Sequence, residues 1–294
     1  MLYDISLAID YDYAGTSDRA RTVMRLMPQD LPGEQRVVSR RLTIQPVPDE
    51  RREGVDFFGN ATTAAVWHQP IQHLRLTMAL RVERLARPEG ADLSPPLAEL
   101  PAALAGVTEL GPDSPHHFSG ASPRVPAVPD IAAFARKVVK PGMSARQAIE
   151  ALGKALHRAM TFDAEATSVE TGPAEAFAQK SGVCQDFAHV MIAGLRALGV
   201  PAGYVSGFLR TLPPPGQPRL EGADAMHAWV RAWTGPVGGW VEFDPTNDTG
   251  AGEDHVVVAR GRDYGDVSPV RGAMRISGGQ DTRHSVDMVP VDDA

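Results

Sequence analysis

The order and periodicity of the sequence predict an α+β protein, in which a small antiparallel β-sandwich precedes a unit of helices followed by antiparallel strands. Three observations support this prediction. Apolar and polar residues alternate in the first part of the chain, prolines cluster in the middle, and helical patterns then give way to strand patterns. We therefore divide the chain into a sandwich at 1–86, a linker at 87–129 and a second unit at 130–294.

Three segments of the predicted sandwich show the period of two that is typical of half-buried strands. The first is the clearest, and its apolar positions are Tyr3, Ile5, Leu7, Ile9, Tyr11 and Tyr13. A second segment carries Val38, Leu42 and Ile44, and a third runs from Leu74 to Val82. Short strands separated by turn residues favour an antiparallel sandwich.

The linker is rich in proline, which breaks any long regular element and leaves room for one short helix near 97–104. Helical signals follow it. Ser144 and Gln147 have the spacing of a capping box at the start of a helix.

The best-defined helix begins around Val183 or Cys184, and Gly199 followed by Pro201 predicts its end. Strands are predicted after it, with a loop at 213–216 after the first of them. Their ranges are 202–209, 228–233 and 240–244.

Composition and charge indicate a globular protein that binds neither nucleic acid nor a membrane. The chain has 294 residues, of which 43% are hydrophobic and 22% charged, and its net charge is -7. A negative charge disfavours phosphate-rich partners, which clustered lysine and arginine would attract. The single cysteine permits no internal disulfide and fits a reducing compartment. Because the N-terminus also lacks the pattern of a signal peptide, we expect a cytoplasmic location.

Cys184 is the strongest candidate for a catalytic residue. It follows a turn that contains Gly182 and opens the predicted helix. Unpaired backbone N–H groups and the positive end of the helix dipole meet there, and both favour a thiolate over a thiol. The same N–H groups can stabilise a developing oxyanion.

A catalytic thiol needs a base and a group that orients the base. His227 opens one predicted strand, and Asp244 ends the next one. In a hairpin the first residue of one strand lies near the last residue of its antiparallel neighbour, so these two side chains can meet. The sequence therefore predicts a triad of Cys184, His227 and Asp244.

Three blocks of sequence in this order resemble the transglutaminase-like superfamily: Gly182-Val183-Cys184-Gln185-Asp186-Phe187-Ala188-His189, His227-Ala228-Trp229 and Trp240-Val241-Glu242-Phe243-Asp244-Pro245-Thr246-Asn247. The block from Arg262 to Val267 and the strands of residues 1–86 look like the bacterial branch and its N-terminal β domain. The resemblance implies a papain-like core in which the helix bearing Cys184 packs on an antiparallel sheet. It also implies that Cys184 is the nucleophile, His227 the base and Asp244 the orienting acid.

Four further residues are predicted to support the site, Gln185, Asp186, Trp240 and Tyr264. Asp186 points away from Cys184 on the helix, so we expect it to fix the local fold. Trp240 can line the cleft, and Tyr264 belongs to a block that resembles one near the rim of the site. No cofactor or metal is expected. A zinc site is disfavoured because the compact ligand spacings are missing from its candidate ligands, Cys184, His189, His227 and Asp244.

The triad and the resemblance predict thiol-dependent hydrolysis of peptide or isopeptide bonds in a protein or peptide substrate, through a thioester intermediate. Two alternatives stay open, namely acyl transfer to an amine and a catalytically silent scaffold or binding protein. In a third, the N-terminal sandwich recognises a partner protein that the core then processes. The sequence determines neither the substrate nor the oligomeric state.

Overall fold

The computed structural model describes residues 1–16, 19–86, 90–211, 225–274 and 278–291, and it has the predicted α+β architecture. The N-terminal strands are β1 (Leu2–Tyr13), β2 (Ala20–Met24), β3 (Gln35–Gln45), β4 (Glu50–Val55), β5 (Ala61–Trp67) and β6 (His73–Arg84). The helices are α1 (Leu100–Ala105), α2 (Pro129–Val138), α3 (Ala145–Ala159), α4 (Pro173–Gln179), α5 (Cys184–Ala197) and α6 (Tyr264–Val267). The later strands are β7 (Thr161–Phe162), β8 (Ser181–Gly182), β9 (Ala202–Leu209), β10 (Ala225–Trp233), β11 (Trp240–Asp244), β12 (Thr249–Gly250), β13 (His255–Gly261), β14 (Val270–Met274) and β15 (Gln280–Pro290).

The N-terminal strands lie in two four-stranded sheets, ordered β15-β1-β6-β3 and β14-β2-β5-β4, whose apolar faces share one hydrophobic core. The alternation predicted for β1 is confirmed, since Tyr3, Ile5 and Leu7 are buried. The sequence analysis missed β2, β4 and β5. β4 is exposed along its whole length and therefore carries no apolar alternation.

The C-terminal strands complete this sandwich, which corrects the sequence-based division of the chain. β15 pairs with β1 along its length, from Tyr3 with Pro290 to Tyr13 with Gln280, and β14 pairs with β2. The sequence division assigns these residues to the unit at 130–294. Among the N-terminal strands, β1 pairs with β6 and β2 with β5, so the other side of each is open to a later strand. Such a side offers a row of backbone groups, with which β15 and β14 pair.

The described part of the predicted linker is packed against the rest of the molecule. α1 and a single 3-10 turn at Leu97–Glu99 match the short helix expected near 97–104. Leu100, Phe118 and Val125 are buried in the core. Residues 87–89 and the predicted loop at 213–216 lie outside the described residues.

The second unit packs its helices against a five-stranded antiparallel sheet, ordered β12-β11-β10-β9-β13. α5 lies at its centre, against β9 and β10, with α2, α3 and α4 around it. α3 begins at the predicted capping box, where the Ser144 hydroxyl accepts the Gln147 N–H at 3.1 Å. Among the helices of the described ranges, none is long and apolar enough to span a membrane.

Two side-chain amides of the sandwich form hydrogen bonds with β13, which is one edge strand of this sheet. Gln35 accepts the Val257 N–H at 2.8 Å and donates to the Val257 carbonyl at 2.9 Å. Asn60 does the same at Arg260, with distances of 2.7 and 2.8 Å. Each amide supplies the donor and the acceptor that a neighbouring strand would offer, so the sandwich holds the sheet that carries His227 and Asp244 in place.

Candidate active site

Cys184 is the first residue of α5, as predicted, and its side chain is partly buried. The parallel pair of β7 and β8 leads the chain to this point. Glycine is required at position 182, because a Cβ atom there would lie 2.5 Å from Asp186 Oδ2. The chain can therefore turn directly into the helix, which leaves Cys184 at the positive end of the helix dipole.

His227 on β10 contacts both of the other predicted triad residues. Its Nε2 lies 2.7 Å from Asp244 Oδ2, and its ring is close enough to Cys184 for that side chain to raise the pKa of the imidazole. Because Asp244 occupies Nε2, Nδ1 is the nitrogen left for the thiol. Burial by itself would lower the pKa of His227, but the hydrogen bond to Asp244 and the nearby Cys184 side chain raise it to about 10. The imidazolium form is therefore favoured at neutral pH.

The hairpin of β10 and β11 brings His227 and Asp244 together. The two strands pair in antiparallel fashion from Val230 with Phe243 to Trp233 with Trp240. β10 begins a little earlier than the sequence predicts, but His227 still lies beside the end of β11. The predicted proximity is confirmed, while the catalytic roles stay a prediction.

Asp244 is fully buried, and both of its carboxylate oxygens accept hydrogen bonds. Oδ1 accepts the backbone N–H groups of Thr246 and Asn247 at 2.9 and 3.2 Å. Oδ2 lies near His227, the Asn247 side-chain amide at 2.7 Å and His255 Nε2 at 3.2 Å. Burial would raise the pKa of Asp244, but the hydrogen bonds to His227 and His255 hold it well below its usual range. The carboxylate is therefore a buried anion directed at His227.

No role was predicted for Asn247 or His255 from the sequence, although both contact Asp244. Asn247 is the last residue of the third block that resembles the superfamily. His255 is the first residue of β13, ahead of the apolar run from Val256 to Ala259, and it is 4% exposed. A polar residue at the start of a buried strand needs a hydrogen-bond partner, and this pattern could have marked His255 as a residue with a buried polar contact. The sequence could not say which partner.

Gln185 and Asp186 fix the segment between β7 and α4, and Asp186 also holds the residue that precedes α5. The Gln185 side-chain amide donates to the Val169 carbonyl at 3.1 Å. Asp186 Oδ2 accepts the Val183 N–H at 2.8 Å and the Thr167 hydroxyl at 2.6 Å, and burial raises the pKa of this carboxyl. Asp186 therefore has the structural role expected for it. Since both side chains are engaged in loop contacts, the predicted oxyanion donor is the backbone of Cys184.

The structure does not bring Trp240 to the triad. Trp240 and Asp244 are at opposite ends of β11, which separates them by about 13 Å of extended strand. The Trp240 indole N–H donates to the Asp113 carbonyl at 3.2 Å, and the Arg231 guanidinium lies 4.0 Å from the centroid of a Trp240 ring. These contacts join the linker to the sheet.

Tyr264 contacts α5 through His189. Its backbone N–H donates to His189 Nε2 at 3.2 Å, and its ring packs on that of Tyr204 with the centroids 6.2 Å apart. His189 is buried, and this burial lowers its pKa to about 4. Both residues therefore support the helix that carries Cys184.

His227, Asp244 and His255 place their ligand atoms within 4.8 Å of one another, which raises the question of a metal site. Two ligands of a tetrahedral zinc ion, each about 2.0 Å from the metal, lie roughly 3.3 Å apart. The 2.7 Å distance from His227 to Asp244 is shorter and is that of a charge-assisted hydrogen bond. His189, a member of the alternative zinc set, is engaged by Tyr264. The geometry is that of a hydrogen-bond network, and the expectation of no metal remains a prediction.

Comparisons with known proteins agree with this fold. The model of the transglutaminase-like superfamily core matches residues 132–245, and that of the bacterial transglutaminase-like N-terminal region matches residues 3–83. An uncharacterized protein of Mycobacterium tuberculosis is 36% identical over 268 residues, which cover 87% of this chain and 82% of that protein. A protein-glutamine gamma-glutamyltransferase of Pseudomonas aeruginosa is 41% identical over 71 residues, or 24% of this chain and 10% of that protein.

Among solved structures, a proposed cysteine protease from Cytophaga hutchinsonii superposes with a TM-score of 0.72 at 19% identity. The match covers 100% of this chain and 92% of that one. A central helix that begins with cysteine and packs on an antiparallel sheet places the protein among papain-like folds. The chain belongs to the transglutaminase-like superfamily, with the bacterial N-terminal region of that group at its start, as the resemblance predicted.

Proposed function

We propose that this protein hydrolyses amide bonds of a peptide or protein substrate through a thioester on Cys184. The proposal depends on the position of His227, because its ring hydrogen-bonds to Asp244 and lies close enough to Cys184 for that side chain to raise its pKa. An imidazolium held between a thiol and a buried carboxylate favours the thiolate, which is the nucleophilic form of cysteine. Membership of the superfamily supports the same class of chemistry.

In the proposed first half-reaction, the Cys184 thiolate attacks the carbonyl carbon and forms a C–S bond. The backbone N–H of Cys184 donates to the oxyanion that develops. His227 gives its proton to the leaving nitrogen as the C–N bond breaks, and a thioester remains. Asp244 keeps the imidazole oriented and offsets its positive charge.

In the proposed second half-reaction, the neutral imidazole of His227 accepts a proton from a water molecule. The water oxygen attacks the thioester carbonyl, the C–S bond breaks and the acid product leaves. Cys184 returns as a thiolate beside protonated His227. Water is the only co-reactant of the cycle.

Acyl transfer is the second candidate function, and the Pseudomonas aeruginosa relative favours it, since that protein is a protein-glutamine gamma-glutamyltransferase. The steps up to the thioester are the same in both cases. A primary amine then attacks the thioester in place of water. The C–S bond breaks, and the product that leaves is the new amide. The two functions therefore differ only in what reaches the thioester.

The first experiment measures the rate of Cys184 alkylation by iodoacetamide as a function of pH. Because the chain has one cysteine, the mass increase of the intact protein reports on Cys184 alone. We expect the wild type to react well below about pH 7, and His227→Ala to react only as an ordinary thiol titrates, near about pH 8.5. Equal pH profiles for the two proteins would show that Cys184 and His227 form no thiolate–imidazolium pair, and would favour the catalytically silent scaffold.

The second experiment separates hydrolysis from transfer. Wild type and Cys184→Ala are incubated with a glutamine-containing peptide library, with and without a fluorescent primary amine. Mass spectrometry then distinguishes cleaved or deamidated peptides from those that carry the amine. Products without the amine support hydrolysis, whereas amine incorporation that outpaces hydrolysis would replace it with acyl transfer.

A further inference from the structure

His255 occupies a position that the proposed mechanism does not use. It is the first residue of β13, two strands away from β10 in the sheet, and it is buried. Its Nε2 lies 3.2 Å from Asp244 Oδ2, the same oxygen that contacts His227. One carboxylate oxygen therefore faces two imidazoles, although the proposed chemistry requires only one.

The other ring nitrogen of His255 determines which nitrogen carries the proton. The Gly252 backbone N–H donates to Nδ1 of His255 at 3.3 Å, so this nitrogen acts as an acceptor. In a neutral imidazole the proton is then on Nε2, which faces Asp244. The contact is therefore a hydrogen bond from His255 to the carboxylate.

The surroundings of His255 restrict its movement. Its ring packs edge-on against Trp229, with the centroids 5.1 Å apart. Two residues further along β13, the Gln35 amide holds both backbone groups of Val257. Because residues 255 and 257 share one face of the strand, the sandwich also fixes where His255 lies.

We infer that His255 is a positioning residue, which holds Oδ2 of Asp244 in place for His227 throughout the catalytic cycle. This inference rests on the proposed thiolate–imidazolium pair. When His227 gives up its proton to the leaving amine, the carboxylate loses its cationic partner, yet it stays buried. His255 takes no part in the proton transfer, so together with the Asn247 amide, which donates to the same oxygen at 2.7 Å, it keeps this oxygen hydrogen-bonded and its direction unchanged.

Few other ionisable groups lie close to this oxygen in the described ranges. His227 faces it from β10 and His255 from β13, while Cys184 of α5 lies beyond His227. Glu242, the next carboxylate along β11, is engaged by Arg260 at 2.6 Å. An effect of His255 on Cys184 can therefore pass through Asp244 to His227, while the ring of His255 also lies near that of His227, with the centroids 6.3 Å apart.

The experiment compares two substitutions of His255 by the pH dependence of Cys184 alkylation. His255→Phe keeps the shape of the ring but removes the donor, whereas His255→Gln keeps an N–H near the position of Nε2. We expect His255→Phe to react about tenfold more slowly below neutral pH, and at the wild-type rate once the thiol is fully ionised. His255→Gln should recover most of the loss, and His284→Phe, at an exposed histidine of β15, should match the wild type.

The outcomes separate this inference from the proposed function. If the wild type reacts in acid and His255→Phe has the same profile, the positioning role is refuted and the proposed function stands. If the wild type itself reacts as an ordinary thiol, both are refuted. Should His255→Phe fail to fold, nitrogen-15 NMR of the wild type still tests the inference, because it shows which ring nitrogen of His255 carries the proton. The Nε2–H tautomer of His255 at pH above about 7 supports the inference, and the Nδ1–H tautomer overturns it.

Discussion

Gln35 offers a test of how strongly the sandwich holds the sheet that carries the site. Replacing it by methionine keeps the length of the side chain but removes its hydrogen bonds to Val257 and to the Gln29 carbonyl. The side chain is 2% exposed, so water cannot readily replace the lost partners. A buried backbone group left without a partner costs about 1–3 kcal/mol, and the two groups of Val257 together predict a loss of about 3 kcal/mol.

Urea unfolding followed by fluorescence measures this loss in the free energy of unfolding. Gln72→Met is the matched control, because that glutamine is exposed and the same atoms change. We expect the midpoint to fall for Gln35→Met, with an unchanged dependence on urea, and to stay constant for Gln72→Met. A loss below about 1 kcal/mol for Gln35→Met would refute the argument that its amide replaces a strand at the edge of β13.

Three further predictions concern the site and its support. Burial lowers the pKa of His189 from 6.5 to about 4, so the unfolded chain binds more protons than the folded protein does between these two pH values. Stability should therefore fall by about 3 kcal/mol as the pH drops from neutral to 4, a loss that urea titrations of His189→Leu should lack. Trp229→Phe removes the indole donor that lies 2.8 Å from buried Glu242 and should cost about 2 kcal/mol in thermal unfolding, with no comparable loss at an exposed aromatic residue. Asp244→Ala should abolish the alkylation of Cys184 in acid while leaving the limiting rate at high pH intact, since the thiolate then forms without His227.

Local signals predicted the elements that place the triad. Gly199 has the positive φ of 81° that ends a helix, as its position after α5 indicated, and Ser144 caps α3. The hairpin argument for His227 and Asp244 needed only the order of two strands and the antiparallel rule. Each of these inferences depends on residues that are close in sequence, or on a geometry that the chain can adopt in one way.

What the sequence did not predict depends on contacts between distant segments. Val38 is 47% exposed although its pattern indicated a buried position, because the register of β3 with β6 shifts between Val37 and Ser39. A one-residue shift moves every side chain to the other face, and no local pattern signals it. The pairing of β15 with β1 and the contact of His255 with Asp244 likewise arise only when strands from different parts of the chain share a sheet.

These long-range contacts change how a role of the sandwich in recognising a partner can be tested. Removing residues 1–86 would take away Gln35 and Asn60, which complete the edge of β13, and would leave β14 and β15 without their partners. A loss of activity in such a fragment would therefore report on folding rather than on recognition. Charge reversals on the exposed strand β4, such as Arg52→Glu, leave these contacts in place. If the sandwich selects the substrate, they should change KM while the alkylation of Cys184 keeps its wild-type pH dependence.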